Sequence, residues 1–152
     1  MPAQAQYVVL KVKSAELTKN FERLGRMDPF AVVSWLSDGG SRKKLLSRTH
    51  TLWNAHKTPQ WDFTCRAHAY APSSGDKIEI ALWEDGNVSK AEWMGSATID
   101  VDELLGPDPT PGVESDDVVL PVVWQKRKSG GGGGEEQTGT VTVRTTLVVA
   151  DP

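Results

Sequence analysis

Short runs in which apolar and polar residues alternate recur along the chain, separated by polar, glycine or proline breaks. This period-two pattern is typical of β-strands that bury one face. It predicts about eight strands, at residues 8–12, 30–35, 42–48, 61–65, 78–82, 93–101, 118–124 and 141–147. A single helical turn is expected over residues 100–105. Because each strand has an apolar face to cover, the pattern predicts an all-β, eight-stranded antiparallel sandwich.

The length of 152 residues predicts one domain, residues 1–152, with enough chain to bury a core. Residues 126–138 read KRKSGGGGGEEQT and contain five consecutive glycines between a basic and an acidic cluster. Glycine gives up the most backbone entropy when it is fixed, so this segment is expected to be a flexible surface loop. Only one predicted strand follows it, so the loop does not divide domains.

Charge and cysteine usage limit the classes of partner and the location. The formal net charge is −3, which gives no bulk attraction to nucleic acid, and none is expected as a partner. No apolar run approaches the roughly 18 residues that span a bilayer, and the first residues lack the pattern of a signal peptide. Cys65 is the only cysteine, which favours a cytoplasmic location.

Catalytic signatures are weak, and no enzyme activity is expected. Cys65 alternates with Trp61 and Phe63 on an apolar face, which favours a buried, inert thiol over a nucleophile. The three histidines lack the spacing of a metal site. The glycine run is followed by Glu135 and Glu136 and opens no helix, so it is not a phosphate-binding loop.

Five motifs, taken in order, resemble those of the C2 domain family. They lie at Leu10–Leu17, Gly25–Ala31, Thr51–Asp62, Ile78–Asp85 and Ala91–Gly95. No motif is decisive alone, but together they cover about two thirds of the chain. The chain lacks a strand before the first motif, and residues 139–147 supply a candidate for it at the other end. The resemblance therefore implies the type II, phospholipase-like, permuted topology.

The resemblance also implies a calcium site made by carboxylates from two loops, since calcium takes six to eight oxygen ligands. The positions that match the family's ligands, with one neighbour able to substitute, are Glu22, Asp28, Glu84, Glu92 and Asp85. Gly86 stands where the family has an aspartate, and three of the matches are glutamates. These departures predict weak Ca²⁺ binding. The other interpretation of Asp28 is a turn residue before Pro29 that starts a strand.

A basic run, SRKKLLSRTH, occupies residues 41–50. Simple alternation puts Arg42, Lys44 and Arg48 on one face of a strand and Lys43 on the other. In the family the matching strand can bind lipid headgroups, so these four residues are candidate contacts. The alternative is a solvent-facing edge strand kept soluble by its charges.

Apolar residues near the predicted loop tips are candidates for shallow membrane insertion. They are Phe21, Leu24, Met27 and Val88. Leu24 or Met27 is equally suited to capping the end of the core. Among the six tryptophans only Trp53 is a candidate for exposure, because the polar residues 54–57 follow it.

These features predict a C2 domain that associates peripherally with anionic membranes, through phosphatidylserine or phosphoinositides, with calcium as a possible bridge. The alternative is a calcium-independent C2 scaffold that binds another protein. Loss of lipid binding in chelator, or in added salt, separates the calcium mode from the basic-patch mode.

Overall fold

The strands of the computed structural model follow the alternating runs of the sequence. The structure describes residues 4–21, 26–85, 90–125 and 134–150. Within these residues there are nine strands: β1 (Ala5–Leu17), β2 (Pro29–Ser37), β3 (Arg42–Arg48), β4 (Gln60–Thr64), β5 (His68–Ala69), β6 (Lys77–Glu84), β7 (Glu92–Asp100), β8 (Val118–Gln125) and β9 (Glu135–Ala150). A 3₁₀ turn at Asp38–Gly40 joins β2 to β3, and helix α1 (Val101–Leu105) follows β7.

The strands run in the spatial order β3-β2-β6-β7-β8-β9-β1-β4, with β5 paired to β1. Every described pairing is antiparallel. Strands β7 and β8 meet at one paired position only, Ser96 opposite Val123. This narrow junction separates two four-stranded layers, β3-β2-β6-β7 and β8-β9-β1-β4. The all-β antiparallel sandwich predicted from the sequence is confirmed.

The core lies between the two layers and takes alternate residues from both. Leu10 and Val143 come from one layer, and Val33 and Ile80 come from the other; all four are almost fully buried. Side chains on successive strand residues point to opposite faces, so each strand contributes every second residue to this core. Helix α1 closes one end with Val101 and Leu104.

The last strand lies between β8 and β1. It pairs with β1 from Ala5 opposite Ala150 to Leu17 opposite Gly139. The strand expected at residues 139–147 is therefore present and extends beyond both predicted ends. The type II assignment that was based on it stays a prediction.

Two elements differ from the sequence prediction. Strand β5 was not predicted, because two residues are too few to show alternation. The predicted loop at 126–138 is shorter, since Glu135–Thr138 belong to β9 and pair with the end of β8. Residues 126–133 lie outside the described residues. No described helix has the length and hydropathy to cross a bilayer.

Strand β3 contains a bulge that changes which of its side chains share a face. Lys44 lies opposite Trp35, whereas Ser47 lies opposite Val33, so Leu46 is an extra residue in the ladder. Arg48 consequently pairs with Val32, on the face turned away from the core. The predicted grouping of Arg48 with Arg42 and Lys44 is wrong, because simple alternation takes no account of a bulge.

Candidate functional site

Three loops meet at one end of the sandwich, where β1 leads to β2, β3 to β4 and β6 to β7. We call the described residues of these loops, with the strand ends beside them, the loop end. They are residues 18–21, 26–30, 48–59, 84–85 and 90–93. Most of the residues that the resemblance marks as functional lie here. Glu22, Leu24, Gly86 and Val88 lie outside the described residues.

Asp28 holds the loop end together from a buried position, with 3% of its surface exposed. Its carboxylate Oδ1 accepts a 2.6 Å hydrogen bond from the backbone N–H of Asn54, in the β3–β4 loop. Its own carbonyl accepts a 2.9 Å bond from the N–H of Asp85, in the β6–β7 loop. Asp28 therefore connects all three loops. The turn that starts β2 is present, and the carboxylate reaches well beyond it.

The neighbouring acidic residues are also committed to hydrogen bonds. Glu84 is 3% exposed, and its Oε2 accepts a 2.6 Å bond from the backbone N–H of Asp28. The carboxylate of Asp85 accepts a 2.8 Å bond from the Thr51 hydroxyl and lies 3.8 Å from Arg48 Nη2. Loop donors thus compensate charges that would otherwise repel one another in a partly buried site.

The described carboxylates do not fit a calcium ion in this arrangement. Within the described parts of the chain, no group of three or more Asp, Glu, His or Cys side chains is placed to hold a metal. Glu92 pairs with Glu84 in the strand register, but it is exposed. Calcium needs several oxygens converging on one point, whereas Asp28 and Glu84 point oxygens at backbone N–H groups. The ligand set of Glu22, Asp28, Glu84, Asp85 and Glu92 stays a prediction.

Two of the candidate insertion residues are used by the core. Met27 is fully buried, and its sulfur accepts a 3.3 Å contact from the backbone N–H of Phe21. Phe21 is half-buried and packs edge-on against Trp124, with ring centroids 5.5 Å apart. Of the two uses that the sequence left open for Met27, capping the core is the one observed. Insertion of Met27 is excluded by its burial.

Trp53 is the exposed apolar side chain of the loop end. It is 60% exposed, whereas the other five tryptophans are buried or half-buried. The next residue, Asn54, has the left-handed φ of 62° and is fixed by its bond to Asp28. This anchored, tight turn presents the indole to solvent. The exposure predicted for Trp53 is confirmed.

Basic residues surround Trp53 on the loop end. Arg26 and Lys90 are exposed and Lys57 is half-buried. Arg48 lies at the same end of β3, with its guanidinium carbon 3.8 Å from the centroid of the Phe30 ring. This stacking fixes the cation without removing it from solvent, since its side chain is 54% exposed.

Phe30 belongs to an aromatic row on the outer face of the β3-β2-β6-β7 layer. It lies opposite Trp83, which precedes Glu84 and packs beside Trp93 of β7. The row borders a groove of about 610 Å³ whose far wall carries the Lys43–Glu79 ion pair, at 2.8 Å. The sequence shows these aromatic residues individually. Their alignment depends on strand register, which the sequence pattern does not reveal.

The four candidate headgroup residues are therefore divided between two faces. Lys43 and Arg48 lie on the outer face with exposed Leu45. Arg42 and Lys44 lie on the opposite face, at the edge of the layer, and Arg42 forms a 3.0 Å ion pair with Asp38. A flat surface cannot contact both sets in the same way.

Cys65 has the environment of a structural residue. It is 4% exposed within the core, and burial raises the pKa of its thiol to about 12, although a hydrogen bond from Ser47 partly opposes this effect. The thiolate, the reactive form, is therefore scarce at neutral pH. The inert thiol predicted from the sequence is consistent with this site.

Comparisons with known proteins agree on the fold. The family model described as "C2 domain" matches residues 6–115. The C2 domain designated A of plant extended synaptotagmin 1 is 16% identical, with a TM-score of 0.70, over 99% of this chain and 100% of that one. A C2 domain-containing protein from a putative elicitor-responsive gene is 16% identical, with a TM-score of 0.60, over 100% and 96%.

Human GIVD cytosolic phospholipase A2 is 13% identical, with a TM-score of 0.66, over 99% of this chain but 17% of the phospholipase. That likeness shows a shared fold in one part of the enzyme and transfers none of its activity. No curated protein matches the chain significantly in sequence. The family model spans well over half of the chain, and the solved C2 domains share its fold. The chain therefore belongs to the C2 domain family.

Proposed function

We propose that residues 1–152 act as one non-catalytic C2 domain that docks peripherally on anionic phospholipid membranes from the cytoplasmic side. The loop end, with the outer-face cations Lys43 and Arg48, is the proposed docking surface. The observation that carries the proposal is the exposed indole of Trp53, held by an anchored loop among basic residues.

An exposed tryptophan suits the boundary between headgroups and acyl chains, because its ring is apolar and its N–H is polar. Trp53 does not have to be released from the core before it can insert, since it is already 60% exposed. Phe21 and Met27 lack this property because they pack within the domain. Insertion at the described loop end therefore depends on Trp53.

Charge supports the same orientation. Arg26, Arg48, Lys57 and Lys90 lie on the loop end, while the acidic residues Asp28 and Glu84 are buried there. Each basic residue near an anionic leaflet contributes on the order of 1 kcal/mol. The chain's net charge of −3 does not oppose this, since screening limits distant charges to about 10 Å.

The proposed docking is driven by charge and by Trp53 and does not require calcium. The carboxylates of Asp28 and Glu84 already accept backbone hydrogen bonds. In this arrangement they support the loops mechanically and offer no converging oxygens to an ion. Binding is therefore expected in the presence of chelator.

Co-sedimentation with phosphatidylserine vesicles tests the proposal, in calcium and in chelator, at low and high salt. Equal binding with calcium and with chelator is expected, with a loss in high salt. Trp53→Ala should weaken binding about tenfold, as expected for removal of a large buried apolar surface. Val113→Ala is the matched control, since Val113 is 59% exposed at the opposite end of the molecule.

Each alternative has its own outcome. Binding only in calcium, lost in Asp28→Asn, would show that a calcium site forms after all and would contradict the charge-driven mode. Equal effects of Trp53→Ala and Val113→Ala would remove the loop end from the docking surface. Absence of binding under every condition would reject the membrane function and leave the protein-binding scaffold.

A further inference from the structure

We propose that the open edge of β3 binds an acidic, extended peptide segment of a protein partner by strand addition, with Arg42 and Lys44 contacting its carboxylates. This surface is separate from the proposed membrane surface. The inference rests on the edge position of β3, on a groove beside it and on the division of its cations by the bulge.

Strand β3 ends its layer and pairs only with β2 among the described strands. Residues Arg42 to Leu45 are all exposed. Towards the other end, the Ser47 hydroxyl accepts a 3.0 Å bond from the backbone N–H of Arg66, which brings the second layer against β3. The open edge is therefore a short stretch, residues 42–46. Such an edge presents unpaired backbone groups to an incoming strand.

A groove of about 530 Å³ runs beside this edge, where the two layers diverge. The Trp35 ring stacks on His68 in it, with centroids 4.2 Å apart. Arg42 and Lys44 line the groove on the β3 side. An added strand can therefore pack apolar atoms on the stacked rings while its backbone pairs with β3.

The charges select the chemistry of the segment. Arg42 and Lys44 are two residues apart and point to the same face, so acidic residues at alternate positions of an added strand can lie opposite them. Asp76, on the other wall, accepts a 2.9 Å bond from the Trp35 indole N–H and disfavours further acidic groups there. The preferred segment thus alternates acidic residues along the β3 side.

The ion pair already present does not block this exchange. Arg42 and Asp38 are 3.0 Å apart, but their side chains are 80% and 63% exposed. Exposed pairs of this kind contribute little, so a partner carboxylate can replace Asp38. The same charges discourage neutral or basic strands, which protects the edge from self-association.

Fluorescence anisotropy with a labelled peptide tests the inference. The probe alternates glutamate and valine over about nine residues, the length of a long strand. The double variant Arg42→Glu/Lys44→Glu should weaken its binding at least about tenfold. The matched double variant Lys43→Glu/Arg48→Glu alters the outer face of the same strand and should change affinity by less than about twofold. Circular dichroism checks that both variants fold.

Two further readouts separate strand addition from simple charge attraction. A probe with alternate amides N-methylated keeps its carboxylates but cannot pair fully, and should bind at least about tenfold more weakly. Hydrogen exchange of residues 42–46 should slow when the unmodified probe is added. Equal binding of the methylated probe, or no protection at β3, would overturn the proposal.

Vesicles distinguish the two surfaces. If phosphatidylserine vesicles displace the probe and Arg42→Glu/Lys44→Glu abolishes vesicle binding, these cations belong to the membrane surface and the inference is wrong. If vesicle binding fails altogether while the probe binds as described, the membrane function fails and the edge site stands.

Discussion

Asp28 is the residue on which the loop end depends. Its side chain and backbone together contact the loops that carry Asn54 and Asp85. A carboxylate that accepts a backbone N–H in a buried place is a strong, directional contact. Rigidity of the loop end, and with it the presentation of Trp53, follows from this one side chain.

Substitution of Asp28 should separate its hydrogen-bonding role from its charge. Asp28→Ala leaves the Asn54 N–H without its acceptor and should lower the free energy of unfolding by about 1–3 kcal/mol. Asp28→Asn keeps an oxygen acceptor and should cost less than half as much. Urea unfolding measures both. Equal costs would mean that charge, and not the hydrogen bond, is what the loop end requires.

At this scale the sequence predicted positions better than uses. The position of Asp28 before Pro29 was enough to mark it as a turn residue and a candidate ligand. Its actual partner is a backbone group 26 residues away, and no side-chain pattern reveals which N–H a folded loop presents. Burial of Met27 had the same cause, since it depends on how the loop folds back over the core.

Strand β9 is the element that joins the two halves of its layer, and it approaches β1 very closely at Gly139. A β-carbon at that position would lie 2.2 Å from the carbonyl oxygen of Glu16. Backbone atoms on both strands are fixed by the ladder, so neither can move away cheaply. Only glycine fits at this crossing of the two strands.

Gly139→Ala should therefore lower the free energy of unfolding by about 1–3 kcal/mol, the cost of overpacking a fixed site. Gly134→Ala, just before the same strand, is the control, because a β-carbon at that position would have no atom within 4 Å. Thermal unfolding of the two variants gives the comparison. A Gly139→Ala protein as stable as the control would show that the strands can separate locally.

Elements were predictable where alternation was regular. The run at residues 42–48 gave the bounds of β3, and the helical turn at 100–105 corresponds to α1. The bulge at Leu46 was not predictable, because it is a property of two strands and the sequence shows only one of them. The pairing of Glu135–Thr138 with β8 was missed for the same reason.

For the molecule as a whole, Cys65 is a sensor of the core. It lies among residues from both layers and has a pKa raised to about 12 by burial, against 9.0 when unburied. A raised folded-state pKa contributes stability that is present below the unfolded value and is lost as pH rises toward the folded one. Alkaline solution should therefore weaken the fold.

We expect the free energy of unfolding to fall by roughly 1 kcal/mol between pH 8 and pH 10 through Cys65 alone. Urea unfolding at the two pH values measures the decrease, and Cys65→Val should reduce it. Some decrease should remain, since burial and the hydrogen bond to Asp102 raise the pKa of Tyr70 to about 12. An unchanged decrease in Cys65→Val would assign the whole effect to other groups.

The bulge in β3 has a consequence for comparing C2 domains by sequence. Deleting one residue between Lys44 and Ser47 would leave the composition of cations unchanged, yet would restore simple alternation and turn Arg48 towards the side of Arg42 and Lys44. Two chains with the same number of basic residues in this strand can thus address different partners. The count of residues in the strand, rather than its charge, acts as the setting that directs those cations.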